Sequence, residues 1–169
     1  PSTPAGLSHA EWGQIRGLVE EGRYHAAPIG KPGKPAVLRA SNPRQGYVTT
    51  FRSEGVELES RPALGQDWRL GVRVSGFGYL GEMRPLPAAE PMADKGRIEY
   101  RRGPVTEWYE NRPDGLEQGF TIAEAPGWGS VGALAIELAV DGGLSIAVEG
   151  DSAAFADASG RGVLRYAGL

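Results

Sequence analysis

The sequence predicts an all-β protein: a β-sandwich of about ten short, mainly antiparallel strands behind one short N-terminal helix. Three observations carry that expectation. From residue 36 onward apolar side chains recur at every second position, the period of a strand with one buried face. Turn-forming clusters break the alternation every ~8–12 residues, the spacing of sandwiches and open barrels. The 169 residues include 26 Gly and 13 Pro, an ample supply of turn formers.

Residues 1–6 read as a flexible leader. The next stretch, "SHAEWGQIRGLVEEGRY", is the one clear helix. Ser8 and Glu11 stand three apart, as a capping box requires, and Gly22 is placed to end the helix. Trp12, Ile15, Leu18 and Val19 fall on one side at helical spacing. Gly13 and Gly17 weaken the helix by ~1 kcal/mol each relative to Ala, so it is expected to need its apolar stripe docked on a larger body. "APIGKPGKP" (27–35) reads as an irregular linker. The division expected is therefore a leader, helix and linker over 1–35 and a sandwich over 36–169.

Strands are predicted near 36–41, 46–52, 55–60 and 67–76, the first three divided by "NPRQG" and "SEG". In "DWRLGVRV", Trp68, Leu70, Val72 and Val74 alternate with Arg69, Gly71 and Arg73. The prolines of 83–96 predict a loop or an edge segment. Further strands fall near 97–103, 105–111 and 115–123, with a turn at "PDG" and with Leu116, Phe120 and Ile122 on one face. Leu134, Ile136, Leu138 and Val140, then "DGG", then Leu144, Ile146 and Val148 predict a hairpin. "DASG" turns a last pair, "AAFA" and "GVLRYAGL".

Composition narrows the function. The chain is 40% hydrophobic and 23% charged, a globular balance sized for one domain with a real core. A formal net charge of −3 offers no basic field to phosphate backbones, so nucleic acid is not an expected partner. No run approaches ~18 apolar residues, so no membrane span is expected. Without cysteine there are no disulfides, thiolate nucleophiles or Cys-ligated zinc. The first residues lack a signal peptide's basic and apolar regions, so an exported protein would begin upstream of them.

Candidate chemistry concentrates in "IEYRRGPVTEWYENRPDGLEQGF" (98–120). Glu99, Arg101, Glu107 and Glu110 could pair carboxylates across a cleft, as glycosidases do. Alternating strands predict instead a wetted charged face, with Glu107→Gln nearly silent and Phe120→Ala costing ~3–5 kcal/mol. His9 and His25, the only histidines, have no motif spacing, and "FADASGRG" offers one carboxylate where a calcium loop needs several. No metal site and no cofactor is expected. The glycines of "SGFGYLG" mark a bulge or close approach rather than a phosphate loop. Among the aromatics, Trp108, Tyr109 and Trp128 are the candidate ligand-binding residues, since an exposed flat ring is how many β-modules stack sugars.

"ASNPRQGYVTTFRSEGVEL", "WRLGVRVSGFGY", "EYRRGPVTEWYENRPDGLEQGF" and the closing "GVLRYAGL" resemble the N-terminal domain of large exported bacterial proteins. There the domain precedes β-propeller-type repeats of the FG-GAP or SBBP kind. The resemblance implies a β-sandwich, an extracellular or cell-surface location and a non-catalytic role as cap, spacer or adhesive head. Its implied partners are neighbouring domains or other surface proteins, possible glycans included, and it carries over no catalytic residue. The repeats are absent from these 169 residues, and the end at Leu169 straight after a strand suggests a piece of a longer protein. A carbohydrate-binding module is the alternative, and a carboxylate-dependent hydrolase the third reading.

Overall fold

The structure is a computed structural model that describes residues 2–31, 33–61, 67–94, 96–127 and 132–168. It is an all-β sandwich with one helix, as the two-residue period predicts. Its fourteen strands among the described residues form three sheets, and none of them closes into a barrel. The strands beyond the expected ten or eleven are very short: β1 (Ala27–Pro28), β6 (Glu82–Arg84) and β7 (Met92–Asp94).

The first sheet takes the order β1, β2 (Leu38–Asn42), β3 (Tyr47–Arg52), β4 (Gly55–Ser60), β5 (Arg69–Tyr79) and β11 (Leu134–Asp141), with β6 also on β5. The second runs β10 (Gly115–Ile122), β9 (Val105–Arg112), β8 (Arg97–Arg102), β7. The third is β12 (Ser145–Glu149), β13 (Ser152–Ala156), β14 (Gly162–Ala167). All pairings are antiparallel.

The core lies between the first two sheets. Leu38, Ala40, Phe51, Val56, Leu58 and Leu70 pack with Ile98, Tyr100 and Tyr109, and the third sheet adds Ala153 and Phe155. Phe51 meets Tyr109 edge-on at 5.4 Å, and Tyr109 meets Tyr100 at 6.1 Å, the arrangement the ring quadrupoles favour. Buried amides fix the two sheets at one end. Asn42 Nδ2 donates to Asn111 Oδ1 at 3.0 Å, and Asn111 Nδ2 donates to the carbonyls of Ser41 and Tyr24 at 2.8 and 2.9 Å.

Near the N-terminus three expectations need correction. The helix α1 (His9–Gly22) forms with its complete capping box, but none of its residues is buried. Ile15, Leu18 and Val19 stay exposed, Leu18 at 69%, so most of the stripe is uncovered, and only Trp12 is half-buried. The 27–35 segment is not wholly irregular, because Ala27 and Pro28 pair with Arg39 and Leu38. Tyr24 is buried and Ala26 packs on the core, so the sandwich draws on residues ahead of the predicted boundary at 36.

The predicted hairpin of 134–140 with 144–148 does not form. β11 pairs with β5, Leu134 opposite Tyr79, whereas β12 pairs with β13 in another sheet. The "DGG" segment is a crossing between sheets. At Gly142, φ is +121°, and a Cβ there would stand 2.1 Å from the Arg69 carbonyl oxygen, so only glycine lets the chain leave so closely over β5. The last pair forms as predicted. Asp157 holds its turn by accepting from the Ser159 and Arg161 amides at 2.9 and 3.2 Å.

Candidate functional site

Strand parity sorts the charged segment into two faces. On the outer face of the second sheet Arg97 and Glu110 pair at 3.6 Å, Arg101 and Glu99 at 3.6 Å, and Arg112 and Glu117 at 3.0 Å. Arg112 also bonds Glu110. These are the wetted ladders the alternation predicts, worth little individually.

Glu107 is the exception, and it overturns the expectation of a wetted side chain. It shares the inner face with Val105 and Tyr109, and its residue is 0% exposed. Oε2 accepts from Arg102 Nε at 2.9 Å; Oε1 accepts from the Tyr109 hydroxyl at 2.5 Å and from Gln118 Nε2 at 3.0 Å. Gln118 Nε2 also reaches the Tyr109 oxygen at 2.8 Å, and the Tyr166 hydroxyl donates to Gln118 Oε1 at 3.0 Å. Arg102, equally buried, donates through Nη1 to the Pro87 carbonyl at 3.0 Å and lies 4.8 Å over the Tyr100 ring. Its Nη2 has no partner.

This relay runs beside a cavity of about 480 Å³ where the three sheets meet. The first sheet contributes Tyr47, Val56, Leu58, Leu70 and Val72; the second Tyr109, Leu116 and Gln118; the third Phe155 and residues 163–167. Gln45, Asp114 and Arg165, all exposed, also line it. Burial pushes the Tyr47 hydroxyl up to about 12. Burial first, and then the Glu107 charge, holds Tyr109 well above its usual value and raises Tyr166. The hydroxyls around the cavity therefore stay protonated at neutral pH.

Of the predicted ligand-binding aromatics, Tyr109 lies inside, on the wall of this cavity, and Trp108 on the outer face of the second sheet. Tyr109 is buried in the core and presents no ring face to solvent. Trp108 is half-buried on the outer face: its indole lies on Gly119, directly across in β10, and the Arg97 guanidinium stacks 3.8 Å from its centroid. A Cβ at Gly119 would fall 2.0 Å from the ring, so the glycine is what seats the Trp108 side chain. Trp128 lies outside the described residues.

Glu99 and Glu110 project from the face opposite Glu107, so these three carboxylates do not converge. Among the described residues no group of three His, Asp or Glu side chains could hold a metal ion. His9 bonds Thr3 near the N-terminus, whereas the His25 ring abuts Gly96. Glu107 and Arg102 were legible in part, since each shares the parity of apolar neighbours: Val105 and Tyr109, and Ile98 and Tyr100. Gln118 and Tyr166 carried no comparable signal, because their meeting depends on how the second and third sheets pack. No family model matches this sequence, and comparisons with curated proteins and with solved structures return no match.

Proposed function

We propose that this domain is a non-catalytic structural or interaction module of an exported bacterial protein, working against neighbouring domains or other surface proteins. The observation that carries the reading is β12. All five of its residues are exposed, Ile146 at 50% and Val148 at 72%, and among the described residues it pairs on one side only, with β13. An unpaired strand edge with apolar side chains is a template for another chain. The treatment of charge supports the same reading. Glu107 accepts from three donors inside the core, and Glu99, Glu110 and Glu117 are engaged in ion-pair ladders on the outer face. The bacterial and extracellular parts of the reading rest on the resemblance of the "EYRRGPVTEWYENRPDGLEQGF" and "GVLRYAGL" segments.

Two measurements test it. Cell fractionation with an antibody to this domain should place the parent protein outside the cytoplasm; recovery from the cytoplasm alone overturns export. A photo-crosslinking residue at Val148 in the parent protein should capture a definite neighbouring domain or surface protein, identified by mass spectrometry. The same residue at exposed Ala93 serves as control, and indistinguishable capture at both sites removes the role of the β12 edge.

A further inference from the structure

The geometry points to the three-sheet cavity as a binding site for a small, uncharged molecule with an apolar body and a hydroxyl group. The volume, about 480 Å³, falls in the range of ligand pockets, and Val56, Leu58, Leu70, Val72 and Phe155 supply an apolar lining. What selects the polar end is the proton order of the relay.

Glu107, paired with Arg102, can only accept, so the groups facing it must donate. That requirement turns the Gln118 nitrogen toward Glu107, where the neighbouring Glu107 and Tyr109 oxygens both accept from it. The Tyr109 proton goes to Glu107 as well. The Gln118 oxygen then points toward Tyr166, which spends its own proton on it. The two tyrosine protons of this wall are committed, and lone pairs on Gln118 Oε1 and Tyr166 Oη remain to accept. A ligand hydroxyl can donate to them. A carboxylate brings lone pairs to lone pairs close to the Glu107 charge, and a hydrocarbon leaves the wall unused. The hydroxyls do not ionise to relieve this, because burial raises both Tyr109 and Tyr166.

The test compares 2-naphthol, naphthalene and 2-naphthoate, one ring system with three polar ends, by titration calorimetry and ligand-detected NMR on the intact chain. The expected result is that 2-naphthol binds about tenfold more tightly than the other two, the ratio one retained hydrogen bond gives. The double variant Gln118→Met/Tyr166→Phe, which removes both acceptors, should bring 2-naphthol down to the level of naphthalene, and Val163→Trp, which fills the cavity, should abolish binding of both while the melt stays cooperative. Failure of all three probes to bind the unaltered protein overturns the site. Equal binding of 2-naphthoate, or a naphthol preference that survives the double variant, overturns the assigned selectivity.

Discussion

Glu107 shows how one residue's role turns on the side of the sheet it occupies. A carboxylate and a guanidinium buried together gain little net stability, since desolvation offsets most of their attraction. Removing one partner is a different matter. Glu107→Gln leaves the Arg102 charge buried and unpaired among Tyr100, Pro87 and the core, so urea unfolding should show a loss of about 3–5 kcal/mol. An exposed control, Glu117→Gln, should cost less than ~1 kcal/mol. The parity of Val105, Glu107 and Tyr109 held that information in the sequence. A charged residue in an apolar row is the case in which charge and parity disagree. Trp108 and Tyr109 teach the complementary lesson. Adjacent strand residues must face opposite ways, but whether the outward ring is open depends on Gly119 and Arg97, which only the strand register brings to it.

Among the elements, burial separates strands that look alike in sequence. Phe51 of β3 is fully buried between sheets, whereas Phe120 of β10 is half-buried. Phe51→Ala should therefore destabilise by the ~3–5 kcal/mol of a core phenylalanine, and Phe120→Ala by roughly half that, below its sequence-based expectation. Equal losses in thermal melts of the two variants would contradict the described packing. The helix α1 provides the opposite case. Its capping box was written in Ser8 and Glu11, and it forms, but Ile15, Leu18 and Val19 of its apolar stripe stay exposed. Deleting residues 1–22 should shift the thermal midpoint by less than about 4 °C, the shift ~1 kcal/mol produces in a chain of this size. Tyr24 must remain, because its carbonyl accepts from buried Asn111. The 134–148 region explains why local pattern misassigned a pairing. Alternation and a glycine turn specify that two strands exist, but the partner of each is whichever edge offers matching backbone groups and an apolar face. For β11 that edge was β5, more than fifty residues earlier.

At the scale of the whole molecule, the buried tyrosines link the fold to alkaline pH. Tyr47, Tyr100, Tyr109 and Tyr166 all have raised hydroxyl values, burial being the leading cause in each. An acid that holds its proton more tightly when folded contributes its full stability below the unfolded value of about 10, and loses it as pH climbs toward the folded values. The thermal midpoint should fall steeply above about pH 10, and phenolate absorbance of these side chains should rise together with unfolding rather than ahead of it. Gradual titration in a still-folded protein would contradict their burial. By itself the sequence determined the all-β class, the capped helix, most strand positions and the outward-facing charge ladders. Each follows from period, turn chemistry and caps that act within a few residues of chain. Tertiary structure alone decided that β11 and β12 part into different sheets, and that Gln118 and Tyr166 meet beside a cavity. Those outcomes depend on which faces of distant strands are brought together, and burial and hydrogen bonding are properties of the assembled faces rather than of any local stretch.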